Sequence, residues 1–563
     1  MKTRFAGIMV MVLPFHLSSA EAIVIHVPAE SPTIQSAIDL SSDGDTIIVA
    51  DGVYSGEGNR NIDFKGKSIQ VSSESGPENC VIDCQSQLGT RGFLFQSGET
   101  AESIVSGFSI IHGFVSDFPD NKGGAMRILF ASPTILNCVI SDNQAESGAG
   151  IYCEAGNPTI AHTVFSYNHT LGLGEGGAIA CIGSSVIQDC MFLFNEARTG
   201  GAAMLFSGDT PGIHEVQHCE FRGNSASERG GAVACVYCPD SRITNCLFSS
   251  NSAPIGAAIL SSHSNTHIEA CEVMDNYGSG GSMFISQGGC LLSYGGSVQL
   301  TNCLIIGNSA YEGSCSYSIG TDLTIQNCTV SENVSPDTAC IASINHSIAV
   351  RNCIVRNFTR DEVFFKDMRS HDISFNDIAG GFQGLSNFDR DPMYMDFGNR
   401  DYHLSPASPC IDAGTDRDAV PTDLSGDIRP MGGAIDIGAF ESKSRPNSNR
   451  AYVYMPSHRI EPCDIVSCSV SFWNAESNSI NGHPLFVILD LRGALYFAPS
   501  FDGVDWYEMD FQVGLTDIQI IPPFVWPYGA GHMNDAVWYA ALVNPAMTEI
   551  CSEIGVFDFD WRE

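Results

Sequence analysis

The sequence predicts an all-β protein: a solenoid of stacked parallel β-coils followed by a small C-terminal β-sandwich domain. Three observations carry that prediction: an internal repeat of about 27 residues marked by cysteine, a glycine-rich step in most repeats, and an abrupt change of composition after residue 441. Self-similarity at such a period is the mark of a solenoid, in which each unit buries its apolar face only against its neighbours.

Composition bounds the function before any motif does. The 563 residues hold 27 Lys+Arg against 64 Asp+Glu, a formal net charge of −37, yet only 16% are charged and 44% are apolar. That balance excludes charge-driven disorder. It also argues against nucleic acid or an anionic membrane as the main partner, since both are held through Lys and Arg.

The repeat is anchored on Cys138, Cys190, Cys219, Cys246, Cys271, Cys303, Cys328 and Cys353, with Thr163 in the one gap. Successive intervals are 25, 27, 29, 27, 25, 32, 25 and 25 residues. Three positions earlier stands an aliphatic residue in all nine coils, from Ile135 to Val350, and two positions later an apolar one, from Ile140 to Val355. Five positions later stands Asn in eight: Asn143, Asn168, Asn195, Asn224, Asn251, Asn276, Asn308 and Asn333. About ten positions later comes glycine, as in Gly176-Gly177-Ala178, Gly200-Gly201-Ala202 and Gly230-Gly231-Ala232, with Gly280-Gly281 assigned to the 32-residue coil.

The anchor and the residue two later share parity, so both face the interior of one strand. The aliphatic residue three earlier has the opposite parity, so the chain must bend before the cysteine. Asn137, Asn245, Asn302, Asn327 and Asn352 stand at that bend, and Asn tolerates the left-handed conformation it requires. The glycine step marks a second corner, through positive φ or close backbone approach. A leucine-rich repeat would need Leu at the inward positions, where it is uncommon here, and a helical half-repeat after the Asn, which is not present. Stacked coils turn the cysteines into a ladder, either of small buried hydrophobes or of axial disulfides. A second inward column is Cys153, Cys181 and Cys235.

The first residues address compartment. Lys2 and Arg4 precede an apolar run over residues 5–17 and an A-x-A site at Ala20-Glu21-Ala22, the pattern of a cleaved signal peptide over residues 1–22. No later run is long and apolar enough to span a membrane as a helix. The mature chain is expected to be secreted, extracellular or at the cell surface.

The residues also resemble a family, the right-handed parallel β-helix proteins of the pectate-lyase-like superfamily in their exported bacterial form. The segments Ile25-His26-Val27-Pro28, Pro32-Thr33-Ile34-Gln35-Ser36-Ala37-Ile38 and Gly44-Asp45-Thr46-Ile47 are similar to its N-terminal coil. The resemblance implies a short amphipathic helix that caps the solenoid. The repeats Phe-x-x-Asn (as Phe165 to Asn168) and Gly-Gly-Ala-Ile/Val (as Gly176 to Ile179) are similar to those of chlamydial polymorphic outer-membrane proteins, which are adhesins. Asp401-Tyr402-His403-Leu404, Ser408-Pro409-Cys410-Ile411-Asp412 and Asp436-Ile437-Gly438-Ala439-Phe440-Glu441 look like the family's closing segment. The resemblance covers roughly residues 23–441 and about 14 coils. It speaks to fold, because β-helices serve lyases, hydrolases, adhesins and structural spikes alike.

Candidate sites follow. In the closing segment Asp412, Asp416, Asp418, Asp423 and Asp427 form an acidic cluster, a candidate for calcium, which takes six to eight oxygen ligands. Residues 442–450 read as a linker, and 451–563 as the β-sandwich, which contains all five tryptophans. Trp506 and Trp526, near turn residues, are candidates for stacking on sugar rings. Asp361, Glu362, Lys366, Asp367, Arg369 and His371 form the densest ionisable run and read as an exposed loop after the last regular coil. The 32-residue coil is expected to carry its excess at residues 286–296. No catalytic residue is identified. The reading is an exported, non-catalytic binding or adhesion protein with polysaccharide or a cell-surface component as candidate partner. Its alternatives are a polysaccharide lyase or glycoside hydrolase, and a structural surface protein.

Overall fold

In the computed structural model the description covers residues 22–443 except 207–211, 281–285, 360, 407 and 418. Beyond residue 449 it covers 450–454, 459–460, 465–474, 480–491, 494–501, 504–511, 514–525, 533–552 and 554–561. The signal-peptide reading of residues 1–22 therefore lies outside the described residues but for Ala22.

Successive coils stack in parallel register. One face is a 13-stranded sheet running from Gly52–Tyr54 to Asp377–Ile378, one strand per coil, so the solenoid has 13 coils where the sequence suggested about 14. The other two long faces join into one 24-stranded sheet, because the strands Ile259–Glu269 and Leu291–Thr301 stay hydrogen-bonded through a corner that interrupts most coils. A fourth, short ladder of six strands starts at Gln144–Ala145 and ends at Tyr277–Gly278. Side chains at equivalent positions stack along the axis. Phe165, Phe192, Phe221 and Phe248 lie with ring centroids 4.6–4.9 Å apart and planes within 3° of parallel. The helix Ile34–Leu40, capped by Thr33 and Ser36, buries Ile34, Ala37 and Ile38 against the first strands.

The corners take the conformations that the repeat predicts. The residue before each anchor is left-handed in all nine coils, with φ between 49° and 53° from Asn137 to Asn352. At the glycine corner the first glycine has positive φ (67° at Gly176), and the second touches the next coil. A Cβ on Gly177 would lie 2.2 Å from the Gly201 carbonyl oxygen, so alanine cannot stand there without a backbone shift.

A left-handed residue aims the next N–H into the interior, where no strand can accept it, and a buried unpaired N–H costs about 1–3 kcal/mol. The Asn ladder answers this need. Each Asn N–H from Asn143 to Asn308 donates to the Oδ1 of the Asn one coil on, at 2.9–3.2 Å. Each Nδ2 donates back to a carbonyl of the preceding coil, as Asn224 does to Phe192. The ladder runs on from Asn333 to Asn357, which the Glu362 carboxylate holds.

The cysteines follow the same scheme with sulfur. Cys219 N–H donates to the Cys246 Sγ at 3.4 Å and Cys246 N–H to the Cys271 Sγ at 3.5 Å, while the Cys246 thiol donates to the Thr244 carbonyl at 3.2 Å. Thr163 makes the equivalent bonds through its hydroxyl. So the ladder cysteines are more than small hydrophobes: they are the hydrogen-bonding groups of a corner. None of the 20 cysteines within the described residues is joined in a disulfide, and burial pushes Cys138 up to about 11 and Cys84 up to about 12, so both stay protonated.

Two further sequence expectations change. The ionisable run at residues 361–371 is not a loop but a further coil: Val363–Lys366 pairs with Ile341–Ile344, and Ser370–Ser374 with Ser347–Arg351. Its anchor is Asn376, whose Oδ1 accepts the Cys353 N–H at 2.8 Å, so an amide replaces the thiol. The excess of the long coil lies between Tyr277 and Gln287 rather than at residues 286–296, and its glycine corner is Gly288-Gly289, because Tyr277 aligns with Ser252 and Gln287 with Ile255. The closing segment, finally, folds back along the flank of the 13-stranded sheet. Arg400 grips Asp275 with two bonds of 2.7 and 2.9 Å, Tyr402 donates to Glu332, and Thr415 donates to the Asn352 side chain. Beneath it Leu304, Ile306 and Ile354, which point outward from the sheet, are buried by Tyr402, Phe440, Leu404 and Ile437.

The C-terminal part contains a three-stranded antiparallel sheet and a six-stranded sheet, antiparallel but for the edge strand Arg459–Ile460, that share a buried core around Cys468, Phe472, Leu485, Val487 and Trp538. Its strands include Ile465–Asn474, Ile480–Leu491 and Met533–Leu542.

Two predictions follow from the interior. Cys246→Ala removes the acceptor of the Cys219 N–H and is expected to cost about 1–3 kcal/mol more than Cys246→Thr, which keeps an oxygen there as Thr163 does; thermal melts of the two variants compare them. His214 is fully buried, its Nδ1 sharing a 2.9 Å hydrogen bond with the Ser185 hydroxyl, and burial lowers its pKa to about 4. The unfolded chain, with His near 6.5, therefore binds the extra proton. Stability is expected to be complete above pH ~6.5 and to fall by about 3 kcal/mol as pH drops to ~4. His214→Ser should remove that component in urea titrations taken across this range.

Candidate binding face

The candidate site lies on the outside of the solenoid. In the strand Ile151–Gly156, Ile151 and Cys153 point into the core while Tyr152 and Glu154 point outward. In register with Tyr152 stand Ala180, Met204, Ala234, Leu260 and Leu292, which form an apolar cluster of their own, separate from the core. A second outward column, Ile182, Phe206, Val236 and Tyr294 with Ser262 between the last two, is half-buried, and its apolar members pack against the first. The outer face of a one-sided sheet is ordinarily polar. The first column is buried, Tyr152 and Leu260 each 2% exposed, and the half-buried second column is what the strip presents to a partner.

A ridge turns this strip into a groove. The residues just before each glycine corner (Glu175, Thr199, Arg229, Ile255, Gln287 and Glu312) pair coil to coil. The positive φ of the following glycine bends the chain back over the strip. The groove opens into a cleft of about 310 Å³ among Lys122, Tyr152, Glu175, Ile182, Met204 and Phe206. On the far rim Tyr237 stacks on His263 at 5.1 Å, and Phe206 meets Tyr237 edge-on at 6.1 Å.

The polar end of the cleft is a donor chain. Lys122 Nζ sits 4.5 Å from the Tyr152 ring centre and 2.9 Å from its hydroxyl, which donates to Glu154 at 2.8 Å. Burial and the Glu154 carboxylate hold the Tyr152 hydroxyl well above its ordinary pKa. Tyr152 is thus a fixed hydrogen-bonding group rather than a general base, which would need a pKa near the working pH.

The residues singled out from sequence lie elsewhere. Asp412 and Asp423 are buried in the closing segment and spend oxygens on backbone N–H groups: Asp412 accepts from Ala434, and Asp423 from Asp427 and Glu441. Asp427 reaches Lys443 at 3.0 Å, Asp416 is exposed, and Asp418 lies outside the described residues. The centre of this segment is the fully buried pair Arg429–Glu441, with Arg429 also donating to the Asp436 and Gly438 carbonyls. Calcium needs oxygens that converge, and here those of Asp412 and Asp423 are turned to peptide groups; no set of three or more His, Cys, Asp or Glu among the described residues is arranged to hold a metal ion. Trp506 is half-buried against Phe486, with centroids 5.6 Å apart, and Trp526 lies outside the described residues.

The groove escaped the sequence reading, which used only the inward residues of each coil. Its signal was present: Ile151-Tyr152-Cys153, Ile179-Ala180-Cys181, Val233-Ala234-Cys235 and Leu291-Leu292-Ser293 keep an apolar or aromatic residue where an outward strand position is usually polar.

No helix of the described residues is long and apolar enough to cross a membrane. No curated protein matches the chain. Residues 175–335, the coils that carry most of the groove, match the family model of the right handed beta helix region, and with the 13 parallel coils this establishes a right-handed β-helix repeat protein.

Proposed function

We propose that this is an exported extracellular or cell-surface β-helix protein that acts by binding rather than catalysis, and that its ligand is a polysaccharide chain lying in the outer groove. The observation that carries the reading is the apolar strip on a face where solvent should meet polar side chains. A pyranose ring has an apolar C–H face and a rim of hydroxyls. The half-buried column offers the rings of Phe206 and Tyr294 together with the aliphatic side chains of Ile182 and Val236, and the ridge beside it supplies hydrogen-bonding groups in most coils, from Glu175 to Glu312. A peptide strand would need a free sheet edge, and the strands here are paired with the coils on either side. A net charge of −37 disfavours a polyanion. Export rests on the signal-peptide pattern of residues 1–22.

A polysaccharide panel tests this, reading retention and also new reducing or unsaturated ends. Retention without product is expected, reduced on the order of tenfold or more in Ile182→Lys and Val236→Lys, which place a charge on the half-buried rim. Product formation abolished by one carboxylate or basic substitution would replace the reading with an enzyme. No retention at all would leave a structural protein.

A further inference from the structure

We propose that His162, Asp189 and His218 form a surface site for a divalent transition-metal ion of the zinc type. They are the left-handed residues that precede the anchors Thr163, Cys190 and Cys219 on three consecutive coils, with φ of 49°, 52° and 52°. The rungs are fixed: His162 N–H donates to the Gln188 carbonyl at 3.2 Å, Asp189 N–H to Gln217 at 3.0 Å, and His218 N–H to Thr244 at 3.0 Å. All three side chains project from the same corner and are exposed.

The corner explains why polar residues stand here, since Asn, Asp and His tolerate the left-handed region. It does not explain the choice. Asn fills five of the nine positions in this column, and only at these three coils is it replaced by imidazole, carboxylate and imidazole in order. His162 Nε2 already lies 3.9 Å from Asp189 Oδ2. The two histidines stand two coil rises apart, roughly 9.6 Å. Two imidazoles leaning inward span that gap when each adds a Zn–N bond of about 2.0 Å, and the ion then sits above the Asp189 carboxylate between them. Two His and one carboxylate are a donor set that suits first-row divalent metals and leaves a position open.

The donors do not converge as they stand; rotation of the exposed imidazoles closes the site. Other surface histidines face a carboxylate without a second imidazole, as His112 with Asp83 at 2.9 Å and His169 with Glu196 at 3.2 Å. The thiols of the neighbouring ladder, Cys190 and Cys219, are buried in the core, on the opposite side of the backbone from these exposed side chains.

The test is titration of the metal-free full chain with Zn²⁺ by calorimetry and with Co²⁺ by visible absorption. His162→Asn, Asp189→Asn and His218→Asn install the residue that the same column uses elsewhere, so the corner is preserved and thermal melts confirm it. One equivalent of Zn²⁺ is expected, with affinity reduced on the order of tenfold or more in each variant and unchanged in His169→Asn. The absence of saturable binding, or affinity equal to the wild type in the His162→Asn/His218→Asn double variant, would overturn the site.

Discussion

At its bends each coil holds a left-handed residue that aims the following N–H into the interior, where β-pairing cannot reach it. The solenoid depends on the means by which that N–H is satisfied. At each such bend one side chain accepts it from the coil before and donates to a carbonyl; the Asn ladder uses an amide throughout, while in the cysteine column three chemistries serve: the amide of Asn376, the hydroxyl of Thr163, and the thiol of Cys246. Their interchange along one column shows that hydrogen bonding, more than apolarity, selects the residue. Cysteine gives the weakest of these bonds but also fills the volume of a small hydrophobe, which suits a corner that is part of the core.

Outside the solenoid this constraint is lifted, and the outward columns are free to carry function. Two different things cover them. Along the 13-stranded sheet the chain's own closing segment buries Leu304, Ile306 and Ile354, fastened by Arg400 to Asp275 and by Tyr402 to Glu332. Along the adjoining face the ridge only half covers Ile182, Phe206, Val236 and Tyr294, and leaves the cleft beside Tyr152. A groove parallel to the axis, with groups repeated at each coil rise of about 4.8 Å, suits an extended ligand. The buried carboxylates of the closing segment belong to its own folding: Asp412, Asp423, Asp436 and Glu441 accept backbone N–H groups that have no strand to pair with.

Much of the fold was legible because each coil repeats its corner chemistry at nearly fixed spacing. Where that chemistry changes residue, reading by residue type fails. Asn376 continues the Cys column and Asn357 the Asn ladder, one position early, so the coil around residues 361–371 looked like a loop. The seven residues of the long coil were misplaced because Gly280-Gly281 imitates a corner that Gly288-Gly289 makes. The candidate site was scarcely legible. Its residues come from many coils, share no motif, and are marked only by an apolar residue where a polar one is usual.

The sequence by itself determined the solenoid, its coil length, its left-handed and glycine corners and the inward ladders, because those features depend on local backbone geometry repeated in every coil. Only the tertiary structure decided which outward columns stay open. That depends on where the closing segment returns and how the ridge leans over its neighbour, contacts between residues far apart in the chain, such as Arg400 and Asp275, that no periodicity encodes.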